Sequence, residues 1–301
     1  MPKPHTATGS FMALGSMTVS QLGATIAVPL MLIHGSFGIS SMRLACAALM
    51  SVLLVRPDFR RFTKAQWKGA LALGTAMAFL TLCYLQAITL IPVGPAITID
   101  FLGPLAVAAV SLRGAVRYAL PALALTGVLA MTYSPDGWLL APAGIAFAAG
   151  SAVAWAAYIV FMRHVGRLFT AQEGLCLSFI VAAIIALGLV KGFAGPELTW
   201  ADLPIAAGLA ILSPLLPFSL EMMALRRLPI GVFSILMSLE PAIGVVLGFV
   251  ILRQTLSLQQ SGGVLLVMTA SVAAVVLVPR GKDAHVADQV AAQPDTVLCE
   301  S

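Results

Sequence analysis

Arg43, Asp100, Glu221 and Glu240 each stand inside a stretch that is otherwise apolar. An ionised side chain in hydrocarbon costs about 2.5–3.5 kcal/mol even on lenient insertion scales, so it persists where it is paired, meets water or does work. A carboxylate can receive an ammonium group or exchange a proton, and a guanidinium can receive a carboxylate through two parallel hydrogen bonds. Glu240 is followed directly by Pro241 and is the hardest of the four to explain as structural. Its best role is a polar contact in a solute pathway or a proton site. The others have plainer roles open to them. Arg43 could snorkel outward and anchor its helix. Asp100 could be its static partner, and Glu221 could reach Arg226 or Arg227 and only fix topology. Trp155 and Tyr158 are three apart, on one helical face, and Tyr84 also lies within an apolar run. Their hydroxyls and rings could line a cavity and bond an amino or carboxyl group, or simply pack.

The elements that must position these groups follow from composition. The chain has 301 residues, 60% apolar and 10% charged, with a mean hydropathy of +1.00. A soluble domain carries about 25% charged residues. This composition excludes an ordinary soluble enzyme, a disordered chain and a nucleic-acid binder, and it makes lipid the natural solvent. A hydrocarbon core about 30 Å thick takes about 20 helical residues to cross. Breaks at Pro, Gly and charge clusters predict ten helices, at 11–33, 37–55, 68–90, 94–112, 116–133, 142–162, 171–190, 203–225, 229–251 and 256–279. No small-residue cleavage pattern follows the first, so it reads as a retained helix. Residues 281–301 are polar and aperiodic, a flexible cytoplasmic tail. Cys46, Cys83, Cys176 and Cys299 are scattered and form no metal or disulfide pattern.

Charge placement tests the count. With the N-terminus inside and ten crossings, 14 of the 17 Lys and Arg fall on the inner side. Only Lys191 and Arg253 fall outside, and Arg43 lies within a span. This bias is the positive-inside pattern, with both termini cytoplasmic.

The two halves resemble each other. A shift of 137 residues places Pro92-Val93-Gly94 on Pro229-Ile230-Gly231, Pro104 on Pro241, Ala87 on Ala224 and Met131-Thr132 on Met268-Thr269. Gly15-Ser16 and Gly150-Ser151 are a weaker match near the openings of the first and sixth helices. Five helices per half is an odd number, so the second half enters the membrane upside down. The predicted fold is all-α and integral to the membrane, with ten transmembrane helices in two inverted five-helix repeats, 11–133 and 142–279. Such repeats are characteristic of secondary transporters, which hold the substrate near the midplane.

Depth follows from a rise of 1.5 Å per residue, which places Arg43 and Asp100 each about 9 Å below the outer ends of their helices. Matching depth would allow them to pair and close an outer gate. Glu240 falls about 16 Å from the inner end of the ninth helix, near the midplane. Glu221 falls in the inner half of the eighth, in register with Tyr84 under the shift. Trp67 and Trp200 lie at helix ends and read as interfacial anchors. No HExxH, GxSxG or Walker loop is present in the sequence, and the four histidines suggest no ligand pair. No enzyme activity, cofactor or metal is therefore expected.

Two stretches carry a family resemblance. One runs from Tyr84-Leu85-Gln86-Ala87 through Pro92-Val93-Gly94 to Asp100-Phe101-Leu102-Gly103-Pro104-Leu105. The other runs from Leu216-Pro217-Phe218-Ser219-Leu220-Glu221-Met222 to Met237-Ser238-Leu239-Glu240-Pro241-Ala242. Trp155-Ala156-Ala157-Tyr158 supports them. The chain resembles the EamA type of the drug/metabolite transporter superfamily, and within it the threonine/homoserine exporters of the bacterial inner membrane. The resemblance implies two EamA repeats, a central cavity lined partly by helices 4 and 9, and proton-linked efflux of small amino acids. Asp100 and Glu240 suit that lining. One departure is Arg253-Gln254, where members commonly carry Gly-Glu. The expected function is secondary-active, proton-coupled export of a threonine- or homoserine-like solute from a multi-pass monomer. Asp100 or Glu240 would receive the ammonium group, and Arg43, Tyr158 or helix ends the carboxylate. Export of drugs, amines or nucleosides on the same fold is one alternative; a non-transporting membrane scaffold or enzyme is another.

Overall fold

The computed structural model describes residues 4–111, 114–134, 137–169, 171–190, 203–225, 236–237 and 239–277. Pro229-Ile230-Gly231, Arg226, Arg227, Lys191, Trp200 and the 281–301 tail lie outside the described residues. Within them the chain is helical throughout, apart from two short strands, a few turns and linkers. The first half holds α1 (Pro4–His34), α2 (Ser36–Val55), α3 (Lys64–Leu90), α4a (Val93–Asp100), α4b (Leu102–Ser111) and α5 (Val116–Thr132). The second holds α6 (Pro142–Leu168), α7 (Ala171–Val190), α8a (Leu203–Ala210), α8b (Leu216–Leu225), α9 (Glu240–Leu252) and α10 (Leu258–Leu277). A two-residue hairpin joins them, with β1 (Tyr133–Ser134) antiparallel to β2 (Gly137–Trp138). Counting α4a with α4b and α8a with α8b, these are ten helices, and they follow the apolar runs except over 229–239 of the ninth, which lies largely outside the described residues. By length and composition α1, α2, α3, α6 and α7 can each cross a bilayer.

Local chemistry sets the ends. Thr63 caps α3 through a reciprocal box: Gln66 N–H donates to Thr63 Oγ1 at 3.3 Å and Thr63 N–H to Gln66 Oε1 at 2.8 Å. Such a cap contributes about 1 kcal/mol. The same Gln66 donates from Nε2 to the carbonyl of Leu168 at 2.8 Å, tying the start of α3 to the end of α6. Between α4a and α4b the helix breaks at Phe101. Pro104 has no N–H to offer the carbonyl of Asp100, one turn back. Between α8a and α8b Ser213 leaves helical geometry altogether (φ −163°, ψ 109°), flanked by Pro214 and Pro217.

The molecule is apolar outside and partly polar inside, the arrangement lipid demands. Leu54 and Phe11 are each 79% exposed, while Ser16, Ser40, Thr98, Ser151 and Ser178 are fully enclosed. Buried hydroxyls spend themselves locally, as when Thr98 Oγ1 donates to the carbonyl of Gly94 at 2.7 Å. Such bonds keep a hydroxyl satisfied where no water can reach it.

The helix contacts have an internal order. α2 lies against α7, α4a against α9, and α5 against α10. The α3–α6 contact is matched by α1–α8b, α3–α7 by α2–α8a, and α1–α9 by α4–α6. Exchanging each span with the one five places on maps this set onto itself. At the α5–α10 contact the exchange reaches single residues. A Cβ built on Gly127 would stand 2.7 Å from the carbonyl oxygen of Gly263, and one on Gly263 would strike that of Gly127. Neither position admits a side chain, which is what lets the two backbones touch.

Candidate functional site

The break in α4 sets Asp100 at the last residue of α4a, and the start of α9 sets Glu240 at its first. Because α4a packs on α9, the two carboxyls come from opposite halves of the chain to one region. Neither faces lipid: Asp100 is 2% exposed and Glu240 6%. They lie close enough to act on each other electrostatically, and Glu221 on α8b lies within the same reach of Glu240. The shared elements thus gather three acids, two of them 140 residues apart in sequence.

Their partners are uncharged. Gln21, in the middle of α1, donates from Nε2 to Glu240 Oε1 at 3.0 Å. Its own Oε1 accepts from the Tyr84 hydroxyl at 2.9 Å. One amide therefore links α1, α3 and α9, using both its donor and its acceptor. Ser16, further back on α1, lies 2.9 Å from Glu221 Oε1 and 3.0 Å from the carbonyl of Pro217. Ser151 on α6 bonds Asp100 and lies 3.2 Å from the carbonyl of Leu80. These bonds leave capacity unused. Asp100 Oδ1 and Glu240 Oε2 are enclosed and have no hydrogen-bond partner. A buried carboxylate oxygen without a donor is costly, and a cationic or protic solute would remove that cost.

The aromatic residues divide their roles. Trp155 packs edge-on against Phe101, ring centroids 5.5 Å apart at 89°, and so braces the break beside Asp100. Tyr84 feels both Asp100 and Glu240. Tyr158 is buried on α6 within electrostatic reach of Glu221. The structure thus brings Asp100, Glu240, Glu221, Tyr84, Trp155 and Tyr158 around one interior region.

Arg43 stands apart. It is 4% exposed on α2, so it does not snorkel to a surface. It forms no ion pair with Asp100, and its Nε and Nη1 have no hydrogen-bond partner. The expected pair fails for a geometric reason. Equal depth says nothing about direction around the bundle, and α2 packs on α7, α8a and α3, whereas α4a packs on α9 and α6. α3 touches both α2 and α4a and carries no charged group in its inner turns. An uncompensated buried charge of this kind costs about 3–5 kcal/mol.

Two further residues are absent from the sequence-based set. Gln21 is one of several polar residues in the first apolar run. Gln254 is the other of the two. Its Oε1 accepts from the N–H of Val93 at 2.9 Å, capping α4a from the turn after α9. Before it, Arg253 takes the left-handed conformation (φ 57°) that ends α9. Gly94 and Gly244 permit the approach these bonds need. A Cβ on Gly94 would lie 2.6 Å from Val245, and one on Gly244 2.8 Å from Ile97.

Residues 142–276 match the EamA-like transporter family. The chain is 34% identical over 256 residues to the threonine/homoserine exporter RhtA of Salmonella typhimurium (strain LT2), covering 80% of this chain and 82% of that protein. It is 33% identical over 258 residues to the threonine/homoserine exporter RhtA of Escherichia coli (strain K12), covering 81% and 83%. The chain belongs to the EamA-like transporter family. A solved crystal structure shares the fold at 18% identity, with a TM-score of 0.59 over 92% of this chain and 99% of that one. Family and helix composition together make the protein a multi-pass membrane protein.

Proposed function

We propose that the protein is a secondary-active exporter of small hydrophilic amino acids, threonine- or homoserine-like, in a bacterial inner membrane with both termini cytoplasmic. The repeats are 11–133 and 142–279, inverted in the membrane, and the carrier works as a monomer without cofactor or enzymatic step. The observation that carries the reading is the pair of enclosed carboxyls with idle oxygens, Asp100 Oδ1 and Glu240 Oε2, contributed by one helix from each half. In this reading they receive the ammonium group of the solute, and protons replace it on the return. Alternation between these occupants is what couples export to the proton gradient. Tyr84 and Gln21 orient Glu240, and Trp155 braces Phe101 beside Asp100.

Reconstituted liposomes with an imposed pH gradient test this. Labelled threonine or homoserine is expected to move against its own gradient, driven by the proton gradient. Movement of another metabolite but of neither amino acid removes the substrate claim. Indifference to the pH gradient removes the coupling. A second reading has one observation in its favour: acids flanked by Trp155, Tyr84 and Tyr158 would also suit an aromatic or aliphatic amine lacking a carboxylate. Increased resistance of expressing cells to amine drugs, with no amino-acid export, would select it.

A further inference from the structure

We propose that Arg43 is a subsite for the carboxylate of the transported solute, apart from the acidic cluster and visited before or after the ammonium group meets those acids. The inference rests on the amino-acid reading for the identity of the solute, and on the guanidinium itself for the chemistry. Arg43 is enclosed on α2, and its Nε and Nη1 are without hydrogen-bond partners. A guanidinium cannot shed its charge to escape burial, so it requires an anion. The acids of the interior are engaged elsewhere. Glu240 is bonded by Gln21, Glu221 by Ser16 and Asp100 by Ser151. Those three act on one another or on Tyr84 and Tyr158, and none of them acts on Arg43.

The neighbourhood narrows the ligand. Nε and Nη1 are both charged N–H donors without an acceptor, and an ionised carboxylate is the acceptor that meets a guanidinium most strongly. Ser36, Ser40 and Ala47 lie within about one-sixth of a turn of Arg43 on the helical wheel, as do Ile39, Cys46 and Met50, so this face of α2 mixes small polar and apolar side chains. Ser40 and Ser36 already spend their hydroxyl protons on Ser36 O and Gln86 Oε1. With those protons spent, neither hydroxyl donates to an anion beside Arg43. At 4% exposure Arg43 offers no open surface to a bulky anion, and the amino-acid reading supplies a small monocarboxylate. This site also separates the two readings above, because an amine without a carboxylate has nothing to offer it.

The test uses the purified full chain. Phenylglyoxal modification of Arg43, followed by peptide mass measurement, is run with L-threonine, acetate or threoninol, the alcohol that replaces the carboxylate. Threonine and acetate are expected to slow modification several-fold and threoninol to leave it unchanged. Equal rates under all three, or no reaction at Arg43 at all, overturn the subsite. In liposomes the wild type is expected to prefer threonine over threoninol by at least about tenfold. Arg43→Gln should erase that preference, and Arg43→Lys should keep part of it. Preference retained in a folded Arg43→Gln protein overturns the proposal. Should acetate protect Arg43 while the wild type moves no threonine, the substrate reading fails and the carboxylate subsite stands.

Discussion

Two helix crossings occupy equivalent places in the two halves and differ in one turn. Where α1 meets α8b, Ser16 lies 3.0 Å from the carbonyl of Pro217; where α6 meets α3, Ser151 lies 3.2 Å from that of Leu80. Pro217 and Leu80 are related by the same 137-residue shift that aligns the Pro-Val-Gly and Pro-Ile-Gly turns. The serine bond is thus common scaffold, made twice. Five residues along α1 stands Gln21, reaching Glu240 on α9. Five residues along α6 stands Ala156, and Gly103, the counterpart of Glu240, lies against it. A Cβ on Gly103 would strike the carbonyl oxygen of Ala152 and come within 3.2 Å of the Ala156 nitrogen. One crossing is filled by an amide and a carboxylate, the other by backbone alone. What the halves share is packing, and where they diverge the polar chemistry lies.

Substitutions can break this contrast in order of expected size. Glu240→Gln removes the charge from the polar crossing and should lower proton-driven export by about a hundredfold or more, the size of a lost buried charge contact, at unchanged protein level. Transport in liposomes measures it, and export near wild type would put the site elsewhere. Gly103→Ala attacks the tight crossing and should destabilise the fold by about 1–3 kcal/mol. Gly208→Ala, where nothing lies within 4 Å, is its control and should be neutral or mildly stabilising. Thermal unfolding in detergent reads both. Gln21→Leu should cost export about tenfold and add nothing in a Glu240→Gln background. Additive losses would show that Gln21 acts independently of Glu240.

A smaller effect sharpens the comparison at the turns. After α4b the chain turns through Gly114 at φ 69°, whereas after α9 it turns through Arg253 at φ 57°. A left-handed conformation costs a residue with a Cβ about 1–2 kcal/mol. Arg253→Gly should therefore raise stability by about 1 kcal/mol. An unchanged melting temperature would mean that the arginine side chain compensates for the strain.

Much of this could be read before any coordinates. The ten spans were legible because a bilayer demands long apolar runs, and Pro, Gly and charge clusters interrupt them at the ends. Asp100 and Glu240 were legible because a charge is conspicuous in such a run. Gln21 was not, since an amide in an apolar helix has no meaning until its partners, 63 and 219 residues away, are known. Equal depth allows an Arg43–Asp100 pair that the fold does not make, because helical rise gives depth and not direction.

Lipid as a solvent, helix number, the doubled halves and the type of chemistry available all follow from the order of residues. Each depends on local quantities: hydropathy along a run, the missing N–H of a proline, the cost of a buried charge. Which acids meet, which oxygens remain idle and why Arg43 stands alone were settled only by packing. Those outcomes depend on which way each helix is turned about its axis, and that angle is chosen by neighbours remote in sequence.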